Sequence, residues 1–460
     1  MNASMGAAAR SAAIVSTFML FNAAHATGNT FYVTNDGTDS ASCGARASAC
    51  RSISQGLANA TDGDTILVGA GRYGNISGSA TYTGPGDEQP QQVDPSTFCI
   101  ICINKEVSIY SLHGPSVTVI EGSPLTNYTA TVMIAHEGVN FGAPGRGFTI
   151  TGGTYYGVLM AQEADPNNDL GIHLKRNITI AGNVDLGDQT GFSFQGRVFS
   201  DSVCPVDDCI PSAVITFAQN ESIDNASAGF DMTEGLFTGG SVVVQNNYAH
   251  GAGTGFQVPG GTQFSAGGAF DSTRISLTGN VAVHNRLGFY ALAPGKMVGN
   301  TAADNTDGGF RVISGQAAFQ NNTAVGNGGP GAIVQFFSDR GTPAGILGFK
   351  SFSQNNFYGN DRNRPNLAIP VTDFPVITLN PGPSAHCGVL NMGVLAEPLS
   401  TGVANPPIPA PLNANGNFWG TTHGPAPTGA SDAVGGACDQ NGGKTTATSY
   451  ATAGFAITTH

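Results

Sequence analysis

The stretch from Arg274 to Val334 reads as three copies of one unit: ISLTGNVAVHNRLGFYAL, KMVGNTAADNTDGGFRVI and QAAFQNNTAVGNGGPGAIV. Each copy is a short β-type run, an Asn, a turn of small residues, a Gly, usually a Phe, and a second β-type run. The anchoring residues Asn280, Asn300 and Asn322 stand 20 and then 22 residues apart. A strand-and-turn unit of that length cannot bury its apolar face alone and must stack on its neighbours, which predicts a solenoid. Composition agrees. Gly accounts for 65 of 460 residues, 25 are Pro, 40% are hydrophobic and only 11% are charged. Such a chain is too apolar for disorder and too rich in Gly for helices, so an all-β fold with many tight turns is expected.

The net charge is −13, with 18 Lys and Arg. Nucleic-acid binding needs a basic surface to replace counterions, so nucleic acid is not expected as a partner. An anionic polysaccharide would need a local basic patch or a cation to approach. Residues 1–26 read as an export signal: Arg10, an apolar run from Ala12 to Phe21, and Ala24-His25-Ala26 as the cleavage site. No later apolar run is long enough for a membrane span. The mature chain should begin near Thr27, and a secreted or periplasmic location is expected. Eight Cys in an exported chain then imply disulfides. Cys43 with Cys50 and Cys204 with Cys209 look like local staples, and Cys387 and Cys438 are expected to join the C-terminal region. Cys99 and Cys102 lie in the apolar run FCIICI, a poor setting for a redox motif, but their pairing stays open.

In chain order, Phe31 to Thr34 reads as a strand. Ile53, Leu57 and Ala58 lie at helical spacing behind Ser52 as an N-cap, and Asp62-Gly63-Asp64 turns into the strand TILVGAG. Near the other end, NANGNFWGTTHGPAP holds the single Trp, Trp419. The opening segment, the coil repeats and this Trp element resemble the pectin-lyase-like superfamily. That resemblance implies a right-handed parallel β-helix with a short N-terminal capping helix, and Trp419 covering the last coil. The expected layout is a signal at 1–26, a cap and first coil at 27–74, coils with loop insertions at 75–361, and irregular C-terminal coils at 362–460.

The regular coils anchor on Asn183, Asn220, Asn247, Asn280, Asn300, Asn322 and Asn356, each taken as the left-handed corner residue and as a bonding partner for the next coil. Nine or ten residues later come Phe192, Phe230, Phe256, Phe289 and Phe310, with Ala332 in the sixth copy, which predicts an interior stack. Unequal spacings place three insertions after the Phe-bearing strand, so all should emerge on one side.

Stacked coils put equivalent residues about 4.8 Å apart. If the Phe face inward, the next residue faces out, which gives Asp231, Gln257, Tyr290, Arg311 and Ile333 as a strip suited to a sugar. The competing reading is an ordinary solvated face. A second column, four residues after each Asn, holds Asp224, Gly251, His284, Asp304 and Gly326. His284 and Asp304 would sit on adjacent coils, where a carboxylate can orient an imidazole. Plain turn geometry explains the same residues. The candidate catalytic residues are therefore His284, Asp304 and Arg311, and the candidate substrate-binding residues are Asp231, Gln257, Tyr290, Arg311 and Asp224.

The superfamily resemblance implies polysaccharide lyases, hydrolases, esterases or epimerases, with Ca²⁺ as a cofactor in some. No calcium-loop spacing appears in the sequence, and no cofactor is otherwise evident. Asn305-Thr306-Asp307 and Ala249-His250-Gly251 resemble polygalacturonase elements, but in reversed order and without the R-I-K element. Two functions follow as expectations: a β-helix protein that binds and cleaves a polysaccharide or cell-surface glycan, or a non-catalytic structural or adhesive protein.

Overall fold

The computed structural model describes residues 28–74, 76–77, 81–94, 97–122, 130–160, 171–172, 176–194, 197–198, 214–232, 236–237, 241–259, 275–292, 295–314, 317–338, 346–363, 385–395, 410–426 and 431–460. The export signal and the Cys204 and Cys209 loop lie outside them. The bodies of the three insertions do too, but their anchors are described. Each leaves the end of a strand of the third sheet (Thr190–Phe194, Thr254–Pro259 and Ala332–Ser338).

The described chain winds into a parallel β-helix. One coil shows the pattern. Ile275–Thr278 belongs to sheet 1, Val281–Val283 to sheet 2 and Leu287–Leu292 to sheet 3. Sheet 1 has eleven strands, from Thr30–Val33 to Ser351–Ser353, and sheet 2 has ten, from Gly71–Gly74 to Asn356–Tyr358. Sheet 3 runs in parallel from Thr97–Ile103 to Val389–Leu395, with antiparallel strands only at its margins, Gln91–Asp94 and Ile346–Leu347. One helix, α1 (Ile53–Asn59), closes the first coil. Its N-cap Ser52 accepts from the Gln55 amide, and Ile53, Gly56 and Leu57 face the core. Glu88 also caps this helix from afar, accepting from the Ile53 and Ser54 amides.

Inside, Phe192, Phe230, Phe256, Phe289 and Phe310 form a continuous stack with centroid spacings of 4.9, 4.7, 4.8 and 4.8 Å. That spacing is the distance between neighbouring strands, so the rings stack because the backbones do. Truncating Phe289 at the middle of the stack removes ring contacts on both sides. Phe289→Ala is expected to cost about 3–5 kcal/mol in urea unfolding, because rigid neighbouring coils cannot collapse into the hole.

The corner between sheets 1 and 2 corrects one expectation in detail. The left-handed residue is not the ladder Asn but the residue before it: Gly182, Gln219, Asn246, Gly279, Gly299, Asn321, Gln354 and Gly416 all have positive φ. The Asn turns inward and is buried. From Asn183 onward each backbone N–H and each Nδ2 donates to Oδ1 of the Asn one coil on, as Asn280 does to Asn300 at 3.0 Å for both bonds. Asn355, not Asn356, continues this ladder, and Asn417 ends it. Asn356 instead starts the next strand, and its side chain bonds Phe455 of the C-terminal tail.

A second ladder runs along the corner between sheets 2 and 3. Asn285, Asn305, Asn327 and Asn360 repeat the same two bonds and end on Asp432, whose carboxylate accepts from the Asn360 N–H and Nδ2. Toward the N-terminus the ladder is interrupted by Ala252, then continues as Asn225 and Asp188. Trp419 is fully buried and stacks on Phe357 at 5.3 Å, so it covers the last coil rather than facing a ligand. Disulfides join Cys43–Cys50, Cys99–Cys102 and Cys387–Cys438.

Candidate functional site

On sheet 3 the alternation of a β-strand sends Phe256, Phe289 and Phe310 inward and Gln257, Tyr290 and Arg311 outward. The strand register puts Asp231, Gln257, Tyr290, Arg311 and Ile333 side by side on consecutive coils. Their environments differ sharply along the column. Asp231 and Gln257 are half-buried, whereas Tyr290 and Arg311 are each only 5% exposed. Ile333 and Leu390 continue it as buried apolar residues.

Arg311 is the unusual member. Its guanidinium carbon lies 5.2 Å from the centroid of the Tyr290 ring, within cation–π range. Nε and Nη2 both reach Oε1 of Gln335, the outward residue two positions further along the next strand, at 3.4 and 3.3 Å. These bonds are long, and Nη1 is buried with no hydrogen-bond partner among the described residues. Burial lowers the Arg311 pKa from its ordinary value, opposed by Tyr290, and raises that of Tyr290. A guanidinium that stays charged in such a place needs an acceptor at Nη1, because a buried unpaired N–H of a cation is costly.

The second column lies elsewhere. Asp224, Gly251, His284, Asp304 and Gly326 all occupy the left-handed turn between sheets 2 and 3, with φ from 52° to 74°. His284 and Asp304 are exposed and on adjacent coils. The Asp304 carboxylate leans away from His284, toward the place a β-carbon on Gly326 would take, with Oδ1 only 2.4 Å from it. Asp224 Oδ1 lies 3.3 Å from Nδ1 of His250, on the next coil, placed to accept from it. Arg286 is held by Asp307 at 2.6 Å. Arg311 lies three residues into its strand, Gly308–Ser314, about 10 Å along sheet 3 from that corner. The structure therefore brings Asp231, Gln257, Tyr290 and Arg311 into one strip and sets His284, Asp304 and Asp224 apart from it. Gln335 completes the strip. Its signal was the alternation itself, which carries the outward face on to the second residue after Ile333.

A pair of carboxyls, Asp185 and Asp188, is enclosed in the core near the same corner. Asn225 Nδ2 donates to Asp185 Oδ2 at 2.8 Å. Gly157 lies over the pair, since a β-carbon there would meet Asp185 Oδ1 at 1.7 Å. Burial and then the Asp188 charge push the Asp185 pKa well up. Burial also raises that of Asp188. At 0% and 3% exposure the two side chains form a polar element of the core. A groove of about 490 Å³ follows the corner between sheets 1 and 2, walled by Thr458, Thr459 and His460. Gln219, Glu221, Asn246 and His460 are among its lining, and it holds no buried cation like Arg311, so the sheet-3 strip is the better candidate. Among the described residues no group of three His, Cys, Asp or Glu side chains converges on one point.

No protein-family model matches the chain, and no curated protein sequence matches it. Among solved structures, a rhamnogalacturonan lyase aligns with 65% of this chain and 82% of its own length, at 15% identity and a TM-score of 0.34. The β-helix assignment rests on the three parallel sheets themselves. Among the described residues no helix is long and apolar enough to cross a membrane.

Proposed function

We propose that this is an exported glycan-binding β-helix protein whose sheet-3 strip holds a polysaccharide, with Arg311 taking a carboxylate of an acidic sugar. The observation that carries the reading is the buried Arg311 guanidinium with Nη1 unpartnered among the described residues, beside the half-buried Gln257 and Asp231. A carboxylate is the natural complement of such a fork, and its charge-assisted bonds are about twice as strong as neutral ones. Gln257 and Asp231 supply donors and acceptors for hydroxyls along the same line. In a chain of net charge −13, one sheltered cation also explains how an acidic glycan can be held at a chosen point. Three disulfides among the described residues support an extracytoplasmic location.

Isothermal titration with acidic oligouronates and neutral oligoglucans tests the proposal. Acidic chains are expected to bind the wild type, and Arg311→Met, which keeps the stem on Tyr290, should weaken them at least tenfold while the melting temperature holds. Equal binding by Arg311→Met would remove the proposal. The burial of Ile333 and Leu390 in the same column favours a second reading, in which this face is a packing surface of a structural protein. In that case Arg311→Met lowers the melting temperature and leaves glycan retention, if any, untouched.

A further inference from the structure

We propose that His250 and His284 form a surface site for a divalent transition metal such as Zn²⁺, with Asp224 positioning the first imidazole. The site is separate from the glycan strip, on the outer face of sheet 2 and its corner toward sheet 3. The strand Tyr248–His250 buries Ala249 and turns Tyr248 and His250 outward. His284 stands on the adjacent coil, one residue past His250 in register, since His250 pairs with Val283.

Three observations converge there. The first is distance. The two imidazole centroids are 5.3 Å apart, with ring planes at 78°. Metal–nitrogen bonds of about 2.0–2.1 Å at a tetrahedral angle place two imidazole centroids roughly 5 Å apart around one zinc ion. The second is orientation. Asp224 Oδ1 lies 3.3 Å from His250 Nδ1, the carboxylate–histidine arrangement that fixes the tautomer and leaves Nε2 to a metal. Gly251, between the two aspartate- and histidine-bearing turns, makes this reach possible. A β-carbon on Gly251 would come within 2.2 Å of that same Asp224 oxygen.

The third is the backbone. Eight coils place a residue with positive φ at this turn: Gly152, Gly187, Asp224, Gly251, His284, Asp304, Gly326 and Gly359. Seven are Gly or Asp, and His284 is the one that brings a metal-binding ring nitrogen to the turn. Its ring is exposed and makes no hydrogen bond to another described residue. Two neutral imidazoles suit Zn²⁺, Ni²⁺ or Cu²⁺ rather than the oxygen-seeking Ca²⁺ or Mg²⁺, and water fills the remaining positions.

The test is calorimetric titration of the untagged full chain with ZnCl₂ and, separately, CaCl₂. The wild type should bind one equivalent of Zn²⁺ and no Ca²⁺ at this site. His284→Gly carries the residue that neighbouring coils use at the same turn, so it should fold at least as well as the wild type and lose that equivalent. His250→Ala should lose it too. Asp224→Asn should weaken it about 10- to 100-fold, the usual effect of a supporting carboxylate. His460→Ala, which changes a histidine near Tyr248 but outside the pair, should leave it intact. Retention of one equivalent by the His250→Ala, His284→Gly double variant overturns the assignment, as does a wild type that takes up no Zn²⁺.

Discussion

Asn300→Ala is expected to destabilise the protein by about 3–5 kcal/mol, more than its small loss of volume would suggest. Asn300 is fully buried at the middle of the first ladder. Its Oδ1 accepts the N–H and the Nδ2 of Asn280, both at 3.0 Å, and its Nδ2 donates to Leu277 O and Asn322 Oδ1, both at 3.0 Å. Alanine leaves the buried Asn280 N–H without its acceptor. An interior rung must donate to one coil and accept from the other, and only an amide does both. The second ladder bears this out, because its far end, which need only accept, is Asp432. The same ladder offers the opposite test at Ala252. There Ala252 N–H donates to Asn285, but no side-chain amide stands beneath Asn225. Ala252→Asn restores the rung and should raise the urea midpoint where Asn300→Ala lowers it.

Stability should also fall as pH rises from about 4.5 to 7.5, with the melting temperature dropping on the order of 5–10 °C. Four buried carboxyls drive this. Burial raises Glu88 to about 7 against the bonds from Ser54 and Ile53, and Asp432 to about 7 against those from Asn360. Asp185 and Asp188 are raised by burial as well. A carboxyl whose folded pKa lies above its unfolded one binds more protons in the native state. Its contribution is complete below the unfolded value near 4 and is lost as pH rises through the folded value. Asp87 works the other way. Burial opposes ionisation there, but the Ser77 hydroxyl and the Ser77 and Gly84 amides outweigh it, so its pKa is lowered. That contribution is lost on further acidification, which sets the acid side of the optimum. Thermal melts from pH 3 to 9 read the profile directly. Asp432→Asn should flatten it above pH 5, and a wild-type melting temperature that climbs between pH 4.5 and 7.5 would reject this electrostatic account.

The coils were legible because stacking leaves a local mark: β-type runs, a small-residue turn and an Asn at nearly constant spacing. The Phe column and the outward strip followed from alternation alone. The double Asn at 355–356 misled, since either residue fits the spacing and only the inward amide belongs to the ladder. The second ladder was present in the sequence as Asn five residues after the first, at 225, 285, 305, 327 and, counted from Asn355, 360. The left-handed residue just before each, such as Asp224 or Gly326, accounts for the turn without it. The pairing of Asp224 with His250 was not readable, because it depends on which side chain leans across a glycine to the next coil. Nor was the burial of Arg311, since alternation tells which way a side chain points and not what lies above it.

The central claim concerns a single nitrogen, and a crystal structure of the protein with a bound acidic trisaccharide tests it most directly. The account predicts a sugar carboxylate within about 2.7–2.9 Å of Arg311 Nη1, with hydroxyls turned toward Gln257 and Asp231. A ligand-free crystal in which Nη1 is already bonded to a group of this chain, with the trisaccharide bound elsewhere or absent, would contradict it.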